Sequence, residues 1–77
     1  MARSGETGAA LDLRGLFPPA PMVAILRAIE TGSEEVTAWL DREPVHLYPE
    51  LAARGWRWEL SRQAETFVLR LRREDAA

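Results

Sequence analysis

The sequence predicts an α+β fold, a two-layer α/β sandwich with elements in the order β-α-β-α-β-β. Four short segments alternate apolar and polar residues, the period of a strand with one buried face. Two others repeat apolar residues three and four apart, the period of a helix with one buried stripe. Both helices covering one side of a single four-stranded mixed sheet bury two stripes and four apolar faces at once.

In chain order, residues 1–9 are small and polar and are expected to be a flexible N-terminal segment. Leu11 and Leu13 alternate with Asp12 and Arg14, a strand ended by Gly15. Pro18, Pro19 and Pro21 suit a helix entrance, because first-turn residues have no intrahelical N–H bond to lose. Met22, Ile25, Leu26 and Ile29 form the stripe of the first helix, and Gly32 is expected to close it in a left-handed conformation. Val36, Ala38 and Leu40 alternate with Thr37, Trp39 and Asp41 as the second strand. The first two strands should be parallel, joined by a right-handed crossover. In "REPVHLYPELAARG", Leu47 and Leu51 share a face, Pro49 places the regular helix close to itself with an irregular turn before it, and Gly55 ends the element. Trp56, Trp58 and Leu60 alternate in a third strand, and Phe67, Leu69 and Leu71 in a fourth, with "SRQAE" between them as a hairpin loop. One domain over residues 10–73 and a tail over 74–77 follow.

Composition excludes several functions. The 77-residue chain has a net charge of −2 and is 29% charged, which argues against an electrostatic nucleic-acid binder. All ten basic residues are Arg. The absence of Cys removes disulfides, thiolate nucleophiles and zinc–thiolate sites together. No apolar run resembles a signal peptide or approaches a membrane span, so a cytoplasmic protein without a membrane partner is expected.

The stretch "LDLRGLFPPAP" resembles the start of the TusA/SirA-like domains, small sulfur-relay proteins. In that family the turn before the first helix carries Cys-Pro-x-Pro, and the Cys carries a persulfide, its thiol made more acidic by the helix N-terminus. Aligned on Pro19 and Pro21, the Cys position is Pro18. "DREPVHLYPELAARGWRWE" and "FVLRLRR" make the chain similar to an uncharacterised branch of that superfamily, the domain of unknown function 2249. The resemblance spans about Leu11 to Arg73. It implies the TusA/SirA-like fold and, at most, service in redox, sulfur or nitrogen-oxide metabolism. Relatives often carry His where Arg42 stands.

The candidate residues each have a plain alternative. Phe17, Pro18, Pro19 and Ala20 form a rigid apolar edge suited to docking, extended by Leu47 and Tyr48; alternatively the prolines only set a turn. Trp39, on the open sheet face, is an aromatic anchor for a partner or a ring lying over Arg70. His46, near Glu43, Tyr48 and Glu50, is the weak metal or haem candidate, though its spacing matches no standard motif. Arg70, Arg72 and Arg73 read as a phosphate stripe or as a salt lattice neutralised by Glu59, Asp41 and Asp12, the lattice being favoured. Ser4, Ser33 and Ser61 fall in expected loops, and one His would have to serve any triad.

The expected function is a non-catalytic interaction or accessory domain on a scaffold that lacks the sulfur-carrying Cys. It uses no cofactor and has a protein partner of unknown identity. The alternative is a small-ligand or metal/haem-binding module built on His46 and its neighbours.

Overall fold

The computed structural model describes residues 8–74. Strand β1 (Gly8–Asp12) leads into helix α1 (Ala20–Glu30), then strand β2 (Glu35–Leu40). A 3-10 turn (Val45–Leu47) runs directly into helix α2 (Tyr48–Ala53), followed by strands β3 (Trp56–Gln63) and β4 (Thr66–Arg73). The sheet order is β1-β2-β4-β3, with β1 and β2 parallel and the other pairs antiparallel. This is the four-stranded mixed sheet with two helices that the periodicities predict.

Local chemistry accounts for the boundaries. Pro19 caps α1 without a side-chain hydrogen bond, and Pro21 fills a first-turn position whose N–H has no helical acceptor. Gly32 and Gly55 end the helices with φ of +107° and +76°, conformations that carry no Cβ penalty in glycine. Pro49 lies in the first turn of α2, and the irregular turn before it is the 3-10 segment.

The core lies between sheet and helices. Ile25 of α1 and Leu51 of α2 are fully buried, together with Val36, Ala38 and Leu40 of β2 and Leu69 and Leu71 of β4. Helix α1 packs on β1 and β2, and α2 on β3. Each such Leu or Ile contributes roughly 1.5–3 kcal/mol on burial.

Four expectations are corrected. Strand β1 begins at Gly8, so Gly8 and Ala9 belong to the sheet rather than to a loose segment; residues 1–7, and 75–77 of the tail, lie outside the described residues. The hairpin loop is shorter than "SRQAE": Ser61, Arg62 and Gln63 pair with Val68, Phe67 and Thr66, and Ala64 turns the chain with φ of +55°. Val68, which the alternation with Phe67, Leu69 and Leu71 leaves on the open sheet face, is nonetheless only 2% exposed, flanked in the register by Trp39 and Ser61. Arg73 pairs with Trp56 and so falls on the helix side of the sheet, away from Arg70 and Arg72.

Candidate functional site

The parallel register brings the connections after β1 and β2 out at one end of the sheet, and the Ala64–Glu65 turn joins them because Leu40 pairs with Phe67. A charge-assisted bond ties the first two together. The Gly15 N–H donates to Asp41 Oδ2 at 2.6 Å, across 26 residues of sequence. Gly15 has φ of +84°, and its turn aims the N–H at the second loop. Asp12 fixes the same turn from below. Its two carboxylate oxygens accept Nε and Nη2 of Arg14, each at 2.8 Å. These bonds and the Arg14 backbone N–H hold the Asp12 carboxyl down at about 2.

On this frame the Phe17 ring is 80% exposed, and Pro18, Pro19 and Ala20 are exposed beside it. The Ala20 N–H donates to the Phe17 carbonyl at 2.9 Å, which starts the helix immediately after the edge. The Pro18–Pro19 peptide bond is cis. Leu16 and Val23 are exposed apolar residues that sequence reasoning did not include. Val23 donates its N–H to the Pro19 carbonyl, one helical turn along, and prolongs the edge onto α1. Spacing alone could have found it, since Val23 lies off the Met22–Ile25–Ile29 stripe.

Leu47 is not part of this edge. It is 1% exposed and belongs to the core, as its four-residue spacing from Leu51 implies. Val45, 52% exposed, is the apolar residue that the 3-10 turn leaves outside instead. Tyr48 is half-buried, its ring stacked on Trp58 with centroids 5.0 Å apart and planes 5° from parallel. Its hydroxyl donates to Glu43 Oε2 at 3.2 Å. Burial, and then this bond, push the phenol up to about 12, so it stays protonated. Tyr48 therefore turns toward β3, the strand on which α2 packs, whereas Phe17 leads the helix over β1 and β2. Trp39 is half-exposed on the opposite sheet face, in the row Asp12–Trp39–Val68–Ser61. The cation–π contact among the described residues joins Arg62 and Phe67 at 5.3 Å rather than Arg70 and Trp39.

His46 is exposed in the 3-10 turn. Its proposed co-ligands are otherwise engaged: Glu43 accepts from Tyr48, and Glu50 pairs with Arg54 at 2.8 Å. Among the described residues no group of three or more His, Asp or Glu is arranged to hold a metal. Ser61, expected in a loop, is a β3 residue on the face away from the helices, and Ser33 follows α1 at the other end of the sheet from His46. No nucleophile–base pair is assembled from them. No helix among the described residues is long and apolar enough to cross a membrane.

The sequence pattern of the DUF2249 family, uncharacterized conserved proteins, matches residues 10–73. The chain belongs to that family. Its fold is that of a SirA-like protein: the crystal structure of one from Desulfitobacterium hafniense superposes with a TM-score of 0.71 at 18% identity, over 83% of this chain and 95% of that one. At that identity the likeness is one of fold. No protein of curated function matches the chain. In this DUF2249 chain the SirA-like fold leaves an apolar edge exposed where its first helix begins.

Proposed function

We infer that this DUF2249 domain is a non-catalytic docking module that binds a protein partner through the edge formed by Leu16, Phe17, Pro18, Pro19, Ala20 and Val23. The observation that carries this reading is Phe17: a large ring left 80% exposed on a turn that three prolines and the Gly15–Asp41 bond make rigid. Rigid apolar edges lose little conformational entropy on binding, and aromatic anchors dominate the energy of such contacts. The resemblance to sulfur-relay domains supports it further. Where those carry a thiol that a partner must approach closely, this chain has Pro18 and no Cys at all. Transfer chemistry is lost, and the surface for approach is kept.

The test uses a photo-crosslinking phenylalanine analogue at position 17 in lysate of the source organism. The expected result is a discrete adduct that excess wild-type protein competes away and excess Phe17→Ala protein does not. Equal competition by both proteins overturns the reading. Stoichiometric zinc, copper or haem that disappears in His46→Ala would establish the ligand-binding module in its place.

A further inference from the structure

The open sheet face holds a second feature, at the end away from the Phe17 edge. Arg57 of β3 and Arg72 of β4 are directly opposite in the register, and Arg70 follows two residues from Arg72 on the same face. All three are exposed. Together with Glu35, Thr37 and Glu59 they line a shallow depression of about 570 Å³. The register rows are Glu35–Arg72–Arg57 and Thr37–Arg70–Glu59, so Arg57 has a cation rather than a carboxylate as its cross-strand neighbour.

The salt lattice favoured from sequence does not form on this face. Asp12 is bound to Arg14, Asp41 to the Gly15 N–H, and among the described residues neither Glu35 nor Glu59 makes an ion pair with these arginines. Like charges directly opposite across a strand pair repel. The arrangement is one in which an anion between the heads removes a cost as well as forming bonds. Opposed Cβ atoms lie about 5 Å apart and those two residues along a strand about 6.5–7 Å, well within the reach of three Arg side chains to a common point.

We propose that Arg57, Arg70 and Arg72 form a binding site for a compact phosphate-type dianion. Guanidinium forks match phosphate oxygens bidentately, and three heads around one centre offer more donors than a carboxylate has acceptors. Glu35 and Glu59 flank the cluster and confine positive potential to its middle. With a net chain charge of −2, that disfavours a long polyanion such as a nucleic-acid strand and favours a small one. The site is independent of the docking edge, on another face and at the other end of the sheet.

The experiment follows the Arg side-chain NεH signals of the full chain by NMR at constant ionic strength, with inorganic phosphate and with glycerol phosphate as separate probes. Saturable shifts are expected at Arg57, Arg70 and Arg72 and not at Arg27, with affinity falling at least tenfold in Arg72→Gln and unchanged in Arg27→Gln. Tighter binding of the ester than of the inorganic ion assigns the site to a phosphorylated metabolite; equal binding assigns it to the free ion. Either supports the proposal. Shifts that are non-saturating, equal at every Arg, or reproduced by chloride overturn it. The mapping is made on the wild-type chain, so its outcome does not depend on the variants folding. Phe17→Ala should leave these shifts intact, so failure here and failure of the docking edge are separate results.

Discussion

The Gly15 N–H and the Asp41 carboxylate meet at 2.6 Å, joining the turn after β1 to the turn after β2. The bond closes the parallel pair at the end where the sheet's own hydrogen bonding stops, since Leu13 N–H to the Trp39 carbonyl is the last backbone bond between these strands. The turn that carries Phe17 is thereby held by residue 41, far from it in sequence.

Asp41→Ala should cost about 1–2 kcal/mol, toward the low end for a hydrogen bond to a charged group because the site is exposed. Gly15→Ala should cost a similar ~1–2 kcal/mol. A Cβ there meets nothing within 4 Å, so the penalty is that of the left-handed backbone alone. Thermal melts check both, and Asp41→Asn should recover part of the loss because its amide oxygen can still accept.

Trp56 and Trp58 differ in burial. Trp56 is buried, and Trp56→Ala should destabilise by about 3–5 kcal/mol. Trp58, two residues on and on the same face of the strand, is only half-buried, under Tyr48. Trp58→Ala should cost roughly 2–3 kcal/mol, part of it the ring pairing. Denaturant unfolding of the two variants orders them, and Trp58→Ala as the worse one would contradict this packing.

Much of the fold was legible because burial leaves a periodic trace. Val36, Ala38 and Leu40 alternate without exception, and Ile25 centres a helical stripe. The start of β1 left none, since Gly8 and Ala9 give alternation nothing to detect. The end of β3 was hidden for the opposite reason: Ser61, Arg62 and Gln63 are all exposed, polar and still paired. That short turn also sets the β3–β4 register, which puts Arg57 opposite Arg72, whereas the alternation along β4 puts Arg73 on the face of Leu69 and Leu71. The candidate edge was legible in part: Phe17 through Ala20 stand exposed, but which apolar residue of "VHL" faces outward depended on a 3-10 turn.

The Asp12 carboxyl should titrate at about 2 by carbon-detected NMR, well below the ordinary range near 4. Arg14→Ala should bring it back toward that range, because the Arg14 side chain is the largest cause of the depression. The folded value lies below the unfolded one, so the ion pair stabilises the fold above about pH 4 and ceases to as pH falls toward 2. Both groups are exposed, so added salt should diminish the effect.

Tyr48 is the single Tyr of the chain, so phenolate absorbance reports on it directly. Its midpoint should be about 12 in the native protein. A raised value on an acid means that its contribution to stability is complete below the unfolded pKa near 10 and is lost between there and 12. Glu43→Gln should lower the midpoint only partway, since burial is the first cause and the carboxylate the second. A midpoint near 10 in the wild type would mean that the ring is not held against Trp58.

Phe17 and Leu47 give the sharpest contrast between surface and core. Phe17→Ala removes a ring that is 80% exposed and should change stability by no more than about 0.5 kcal/mol. Leu47→Ala empties a fully enclosed position and should cost about 2–5 kcal/mol, a large share of what so small a domain holds. In thermal melts the first variant should stay within about 4 °C of the wild type, and the second should melt at least about 8 °C lower, given roughly 4–8 °C per kcal/mol at this size. A strongly destabilised Phe17→Ala would make the ring a structural group and remove the docking edge with it. A neutral Phe17→Ala that also fails to compete for the crosslinked partner leaves binding as the reason the ring is there.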